Sequence, residues 1–74
     1  MSTEKNALLE ALGQRIRALR KSKRWTQTDM AVTLDINRGH LSDIETGKRE
    51  AGLITLQVIA RGLGTTMSSL LKGL

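Results

Sequence analysis

The stretch Thr26-Gln27-Thr28-Asp29-Met30-Ala31-Val32-Thr33-Leu34-Asp35-Ile36-Asn37-Arg38-Gly39-His40-Leu41-Ser42-Asp43-Ile44-Glu45 decides how this chain folds. It reads as two short amphipathic helices joined by a tight turn. Thr26 can cap the first, and Asp29, three residues on, completes a capping-box pattern. Asn37 can cap the second. Apolar side chains fall at Met30, Ala31 and Leu34, then at Ile36, Leu41 and Ile44. That leaves Arg38, Gly39, Ser42 and Asp43 outside the core.

The residues around this stretch continue the pattern. A first helix is expected from about Asn6 to Lys23, with Leu8, Leu12, Ile16 and Leu19 along one face. Gly13 within it is either an exposed weak point, costing roughly 1 kcal/mol against Ala, or the place where another helix approaches closely. Arg15, Arg17, Arg20, Lys21, Lys23 and Arg24 form a basic run without an acid, read first as a solvated face. Trp25 reads as a packing residue, since a single-strand binder needs several aromatics to stack bases. Gly47 and Gly64 fit the left-handed residues that end helices. A fourth helix is expected from Leu53 to Leu63, and Thr66 can cap a short, weak fifth from Met67 to Lys72. On the fourth, Leu53, Leu56, Ile59, Ala60 and Leu63 make a core stripe. Ile54 and Val58 are left over, with Gly62 one turn further on. They suit either a subunit interface or burial under the fifth helix. The expected fold is therefore all-α, a single five-helix domain over residues 1–74, with the paired helices at about 26–45 and a dimerisation region at about 53–74.

Composition narrows the function. The chain has 74 residues, no Cys and no Pro, and one His. Disulfides and thiolate metal sites are excluded, and no paired carboxylates or His pair marks a catalytic or metal site. An enzyme, a cofactor and a small-molecule ligand are not expected. Lys and Arg number 12 against 7 acids, a formal charge of +5. Such a balance favours a polyanionic partner. No apolar run approaches a membrane span, and the start Met1-Ser2-Thr3-Glu4 lacks the features of a signal peptide, so a cytoplasmic location is expected. A helix-turn-helix in a basic domain places its second helix in the major groove of double-stranded DNA. Arg38 can then pair with guanine O6 and N7, or else with a phosphate. Asp43 can accept from cytosine N4 or orient Arg38.

The segments Arg24-Trp25-Thr26-Gln27-x-Asp29-Met30-Ala31, Leu41-Ser42-Asp43-Ile44-Glu45-x-Gly47-Lys48-Arg49 and Leu56-x-x-Ile59-Ala60-Arg61-x-Leu63-Gly64 resemble the Cro/phage-repressor type of helix-turn-helix domain. The resemblance runs over roughly residues 14–71, in register throughout. The small chain looks most like the controller proteins of bacterial restriction–modification systems, with phage-type repressors and DNA-binding antitoxins as alternatives. The antitoxin alternative is disfavoured by the short segment after the fifth helix. The resemblance implies a homodimeric transcription regulator on a palindromic operator, held at the nucleoid when bound. It implies base-facing positions at Arg38, Gly39, Ser42 and Asp43. Backbone-facing positions follow at Thr26, Gln27, Asn37, His40, Lys48 and Arg49. It also implies a structural pair between Arg20 and Glu45. A dimer interface is expected at Ile54, Val58 and Gly62, with Met67 and Leu71. Asp35 stands where such domains often carry Gly in the turn.

Overall fold

The computed structural model describes residues 3–74, and side chains from Ala7 onward. It contains five helices and no strand among these residues: α1 Thr3–Ser22, α2 Gln27–Leu34, α3 Arg38–Glu45, α4 Leu53–Gly62 and α5 Met67–Leu71. The first helix starts three residues earlier than the apolar pattern predicts and stops one residue sooner. Its end is a turn in which Arg24 takes the left-handed conformation, φ 62°. Nothing in the residue type announces this, because Arg is not favoured there.

The caps form as their residues predict. Thr26 Oγ1 accepts from the Asp29 N–H at 3.0 Å, and Asp29 Oδ2 accepts from the Thr26 N–H at 2.9 Å, the reciprocal capping box. Asn37 Oδ1 accepts from the His40 N–H at 3.0 Å and opens α3. Thr66 Oγ1 does the same for α5 through the Ser69 N–H. Asp35 ends α2 at φ 55° and ψ 47°, so the turn keeps its left-handed residue without glycine.

One core joins all five helices. Ile16, Met30, Leu41, Ile59 and Leu70 are fully enclosed, and Leu12, Ala31, Ile44, Leu56, Ala60 and Leu63 complete the cluster. Trp25 packs against its edge, as a structural residue should. Two members of the expected stripes lie outside. Leu8 is 48% exposed and Leu53 is 69% exposed. Both stand near the start of their helix, where the chain has yet to meet its neighbours. Apolar spacing alone does not show where along a helix burial begins.

Gly13 settles on the close-approach reading. A Cβ there would strike the backbone carbonyls of Ile44 and Glu45. The same side of α1 meets Gly47, where a Cβ would lie 2.9 Å from the Glu10 backbone and φ is +76°. Helix α1 thus rides directly on the C-terminal end of α3. Gly13→Ala should therefore destabilise the domain by about 1–3 kcal/mol through overpacking, although Ala is the better helix former by roughly 1 kcal/mol. Thermal melting of the variant checks the sign.

The short α5 is better anchored than its sequence implies. Leu70 is completely buried. Arg15 Nη1 reaches from α1 to donate to the carbonyls of Leu70 at 3.0 Å and Lys72 at 2.6 Å. Two members of the basic run are therefore structural. Arg15 satisfies orphan carbonyls at the end of α5, and Arg20 is buried in an ion pair.

Candidate nucleic-acid interface

Helix α3 is built to offer one face. Leu41 and Ile44 fix its inner side in the core, at 0% and 2% exposure, and Glu45 is buried at its end. Arg38 and Gly39 are exposed, while Ser42 and Asp43 are half-buried on the outer side. These are the residues expected to face bases. Gly39 also leaves room for the cap, since a Cβ there would sit 3.2 Å from Asn37 Oδ1.

The expected pair between Arg20 and Glu45 forms as a fork. Arg20 Nε lies 2.8 Å from Glu45 Oε2, and Nη2 lies 3.0 Å from Oε1. The two side chains are only 8% and 1% accessible. Arg20 Nη1 donates further to the Trp25 carbonyl at 2.7 Å. One guanidinium thus ties α1 to the end of α3 and to Trp25, the residue before the cap of α2. Its planar array of donors suits it to this use in a way that lysine would not match.

Thr26 spends its hydroxyl on the cap but stays exposed at the start of α2. Gln27 is half-buried, and its Nε2 donates to Glu45 Oε1 at 3.2 Å. The sequence gives no sign of this contact, because 18 residues separate the partners. Asp43 finds its partner in the loop after α3. Its Oδ2 stands 3.7 Å from Arg49 Nε, and nothing links it to Arg38 as one reading of the sequence proposed. Lys48 and Arg49 are both exposed on that loop. His40 is half-buried. Its Nε2 is enclosed without a hydrogen-bond partner among the described residues.

A second surface lies on α4. Ile54 is 71% exposed, Leu53 69% and Val58 36%. Helix α5 does not cover Ile54, which disposes of the alternative that the same chain buries it. Leu53, expected in the core, enlarges this apolar strip instead. Gly62 has a neighbour inside its own chain, for a Cβ there would collide with the Leu34 side chain. The small residue at 62 is thus explained by the packing of α4 on α2. Met67 packs against the core and lines a groove with Gln57, Ala60, Arg61, Thr65 and Thr66, while Leu71 is 38% exposed. No helix among the described residues is long and apolar enough to cross a membrane.

Two capped helices, a left-handed turn and an outward-facing α3 held by a buried ion pair define a helix-turn-helix unit. The chain belongs to the helix-turn-helix family, whose model matches residues 16–70. It is 41% identical over 59 residues to the control protein C.MunI of a Mycoplasma species, covering 78% of this chain and 80% of that protein. It is 37% identical over 59 residues to the immunity repressor of Bacillus phage phi105, covering 80% of this chain but only 41% of the repressor. The chain thus spans well under half of that phage protein's length. Among solved structures it superposes on the restriction-modification controller protein C.AhdI from Aeromonas hydrophila with a TM-score of 0.78 and 28% identity, covering 86% of this chain and 96% of that one. These relatives are regulators and controllers, not enzymes.

Proposed function

We propose that the chain is a transcription regulator that binds palindromic operator DNA as a homodimer and controls restriction–modification genes. The observation that carries the reading is the build of α3, with Leu41, Ile44 and Glu45 locked inward and Arg38 and Gly39 exposed at its N-terminal end. In helix-turn-helix proteins the N-terminal residues of the second helix meet the base edges. The starts of α2 and α3 offer free N–H groups and the positive ends of their helix dipoles to phosphates. Lys48 and Arg49 add charge beside them. The restriction–modification setting is supported by the control proteins, of which the chain covers most. The dimer is supported by the apolar strip at Leu53, Ile54 and Val58. Such a strip on a small basic protein is a natural subunit contact. A two-fold dimer sets two copies of α3 about one DNA turn apart and so reads an inverted repeat.

Two substitutions test the division of labour, with binding measured by gel shift on a duplex selected from a random pool. Arg38→Ala should cost about 1–3 kcal/mol on that duplex and relax preference at one base pair in each half-site. Lys48→Ala should weaken selected and random duplexes by the same factor, because phosphates carry no sequence. If Arg38→Ala lowers both by an equal factor, Arg38 is a phosphate contact and the base assignment is wrong.

A further inference from the structure

We propose that Glu45 is a positioning residue for DNA binding, its buried carboxylate aiming the side-chain amide of Gln27 at a phosphate of the bound duplex. This rests on the DNA-binding reading and adds to it what sets the orientation of that donor. The fork from Arg20 already occupies both carboxylate oxygens of Glu45, at 2.8 and 3.0 Å. Oε1 nevertheless takes a second donor, Gln27 Nε2, at 3.2 Å. A carboxylate only accepts hydrogen bonds, so chemistry alone requires the nitrogen of the amide, and not its oxygen, to face Glu45.

The orientation matters because a glutamine amide is ambivalent. Its terminal torsion is broad, and a free amide presents its oxygen as readily as its nitrogen. An oxygen turned to a phosphate repels it, whereas an N–H attracts it. Gln27 is the first residue of α2, beside the helix N–H groups that have no intrahelical acceptor. With one N–H engaged by Glu45, the second N–H stays available as a donor. Arg20 neutralises the carboxylate, so the anion that orients the amide does not itself repel the DNA. The three residues come from three helices in sequence: α1 holds Glu45, and the end of α3 turns the side chain that opens α2. The Arg20–Glu45 pair thereby does more than set an angle between helices.

The test is a double-mutant cycle between Gln27→Met and Glu45→Gln. Binding is measured on an arbitrary-sequence duplex of about 30 base pairs at low salt, since a phosphate contact does not depend on an operator. Glutamine at 45 removes the charge and replaces one acceptor oxygen with an NH2 donor, so the guanidinium of Arg20 and the amide of Gln27 must compete for the one oxygen that remains. Gln27→Met should weaken binding about three- to tenfold, the worth of one hydrogen bond. Glu45→Gln should cost a similar factor in the native background and nothing once Gln27 is Met. Circular dichroism checks that each variant is folded at the temperature used. An equal loss from Glu45→Gln in both backgrounds overturns the proposal and leaves Glu45 a packing residue. Native protein that binds DNA while Gln27→Met has no effect overturns it too, with the DNA-binding reading intact. Native protein that binds no duplex overturns both. If Glu45→Gln does not fold, the nitrogen-15 spectrum of the native protein decides. One Gln27 side-chain proton should be shifted downfield from its free position, and two protons at free-glutamine positions would refute the contact.

Discussion

Ile54→Arg should abolish the dimer and leave the helical fold intact. The native side chain is 71% exposed in the single chain, so the subunit loses little of its own packing when that side chain changes. Across a two-fold axis, however, each new guanidinium would face its symmetry mate or the apolar strip around it, and α4 holds no acid to receive it. A monomer makes half the DNA contacts. Specific affinities of such proteins lie at about 10⁻⁸ to 10⁻¹¹ M, so halving the binding free energy weakens operator binding by at least about ten-thousandfold. Sedimentation reads the dimer and circular dichroism reads the fold. A folded variant that remains dimeric would move the interface elsewhere, with Met67 and Leu71 on α5 the next place to look. Val58→Ser is the milder companion: its half-exposed side chain should loosen the dimer without adding a charge.

Glu45→Ala should cost about 3–5 kcal/mol of folding stability, because it strands a buried guanidinium. A domain of this length has roughly 4–11 kcal/mol in all, so the variant should sit close to its unfolding threshold. The hydrogen bond from Arg20 Nη1 to the Trp25 carbonyl survives the change and softens the loss. Arg20→Ala should act alike, leaving the Glu45 carboxylate with Gln27 as its remaining partner. The double variant should lose less than the sum of the two, since each single change already breaks the same pair. Additive losses in denaturant titrations would show that the two do not interact. Base preference should be unchanged where folded protein remains, because neither side chain reaches the outer face of α3.

Much of this arrangement was legible in the sequence because it is local. Capping by Thr26, Asn37 and Thr66 involves residues three positions apart, and the glycines at 47 and 64 punctuate the chain where they stand. The inner faces of α2 and α3 follow from the helical repeat. The Arg20–Glu45 pair was reached by a different route, through likeness to a family, since the partners stand 25 positions apart. What the sequence withheld is tertiary. Gly13 could be read two ways until the carbonyls of α3 were found against it. Arg15 belongs by spacing to a solvated basic run, yet it closes the end of a helix more than fifty residues away. Leu53 satisfies the apolar period of α4 and still points to solvent. Period gives a face, but it cannot say which of two apolar faces the rest of the chain will cover. Asp43 shows the same limit at the candidate interface, where its partner came from the loop and not from its own helix.

The central claim is that two copies of α3 dock together on one duplex, and the salt dependence of binding tests it most directly. Each subunit should neutralise about four phosphates through Lys48, Arg49 and their neighbours, and a dimer about eight, so log affinity should fall against log salt with a slope of about −7. A slope shallower than about −2 on the selected duplex would contradict docking in the groove.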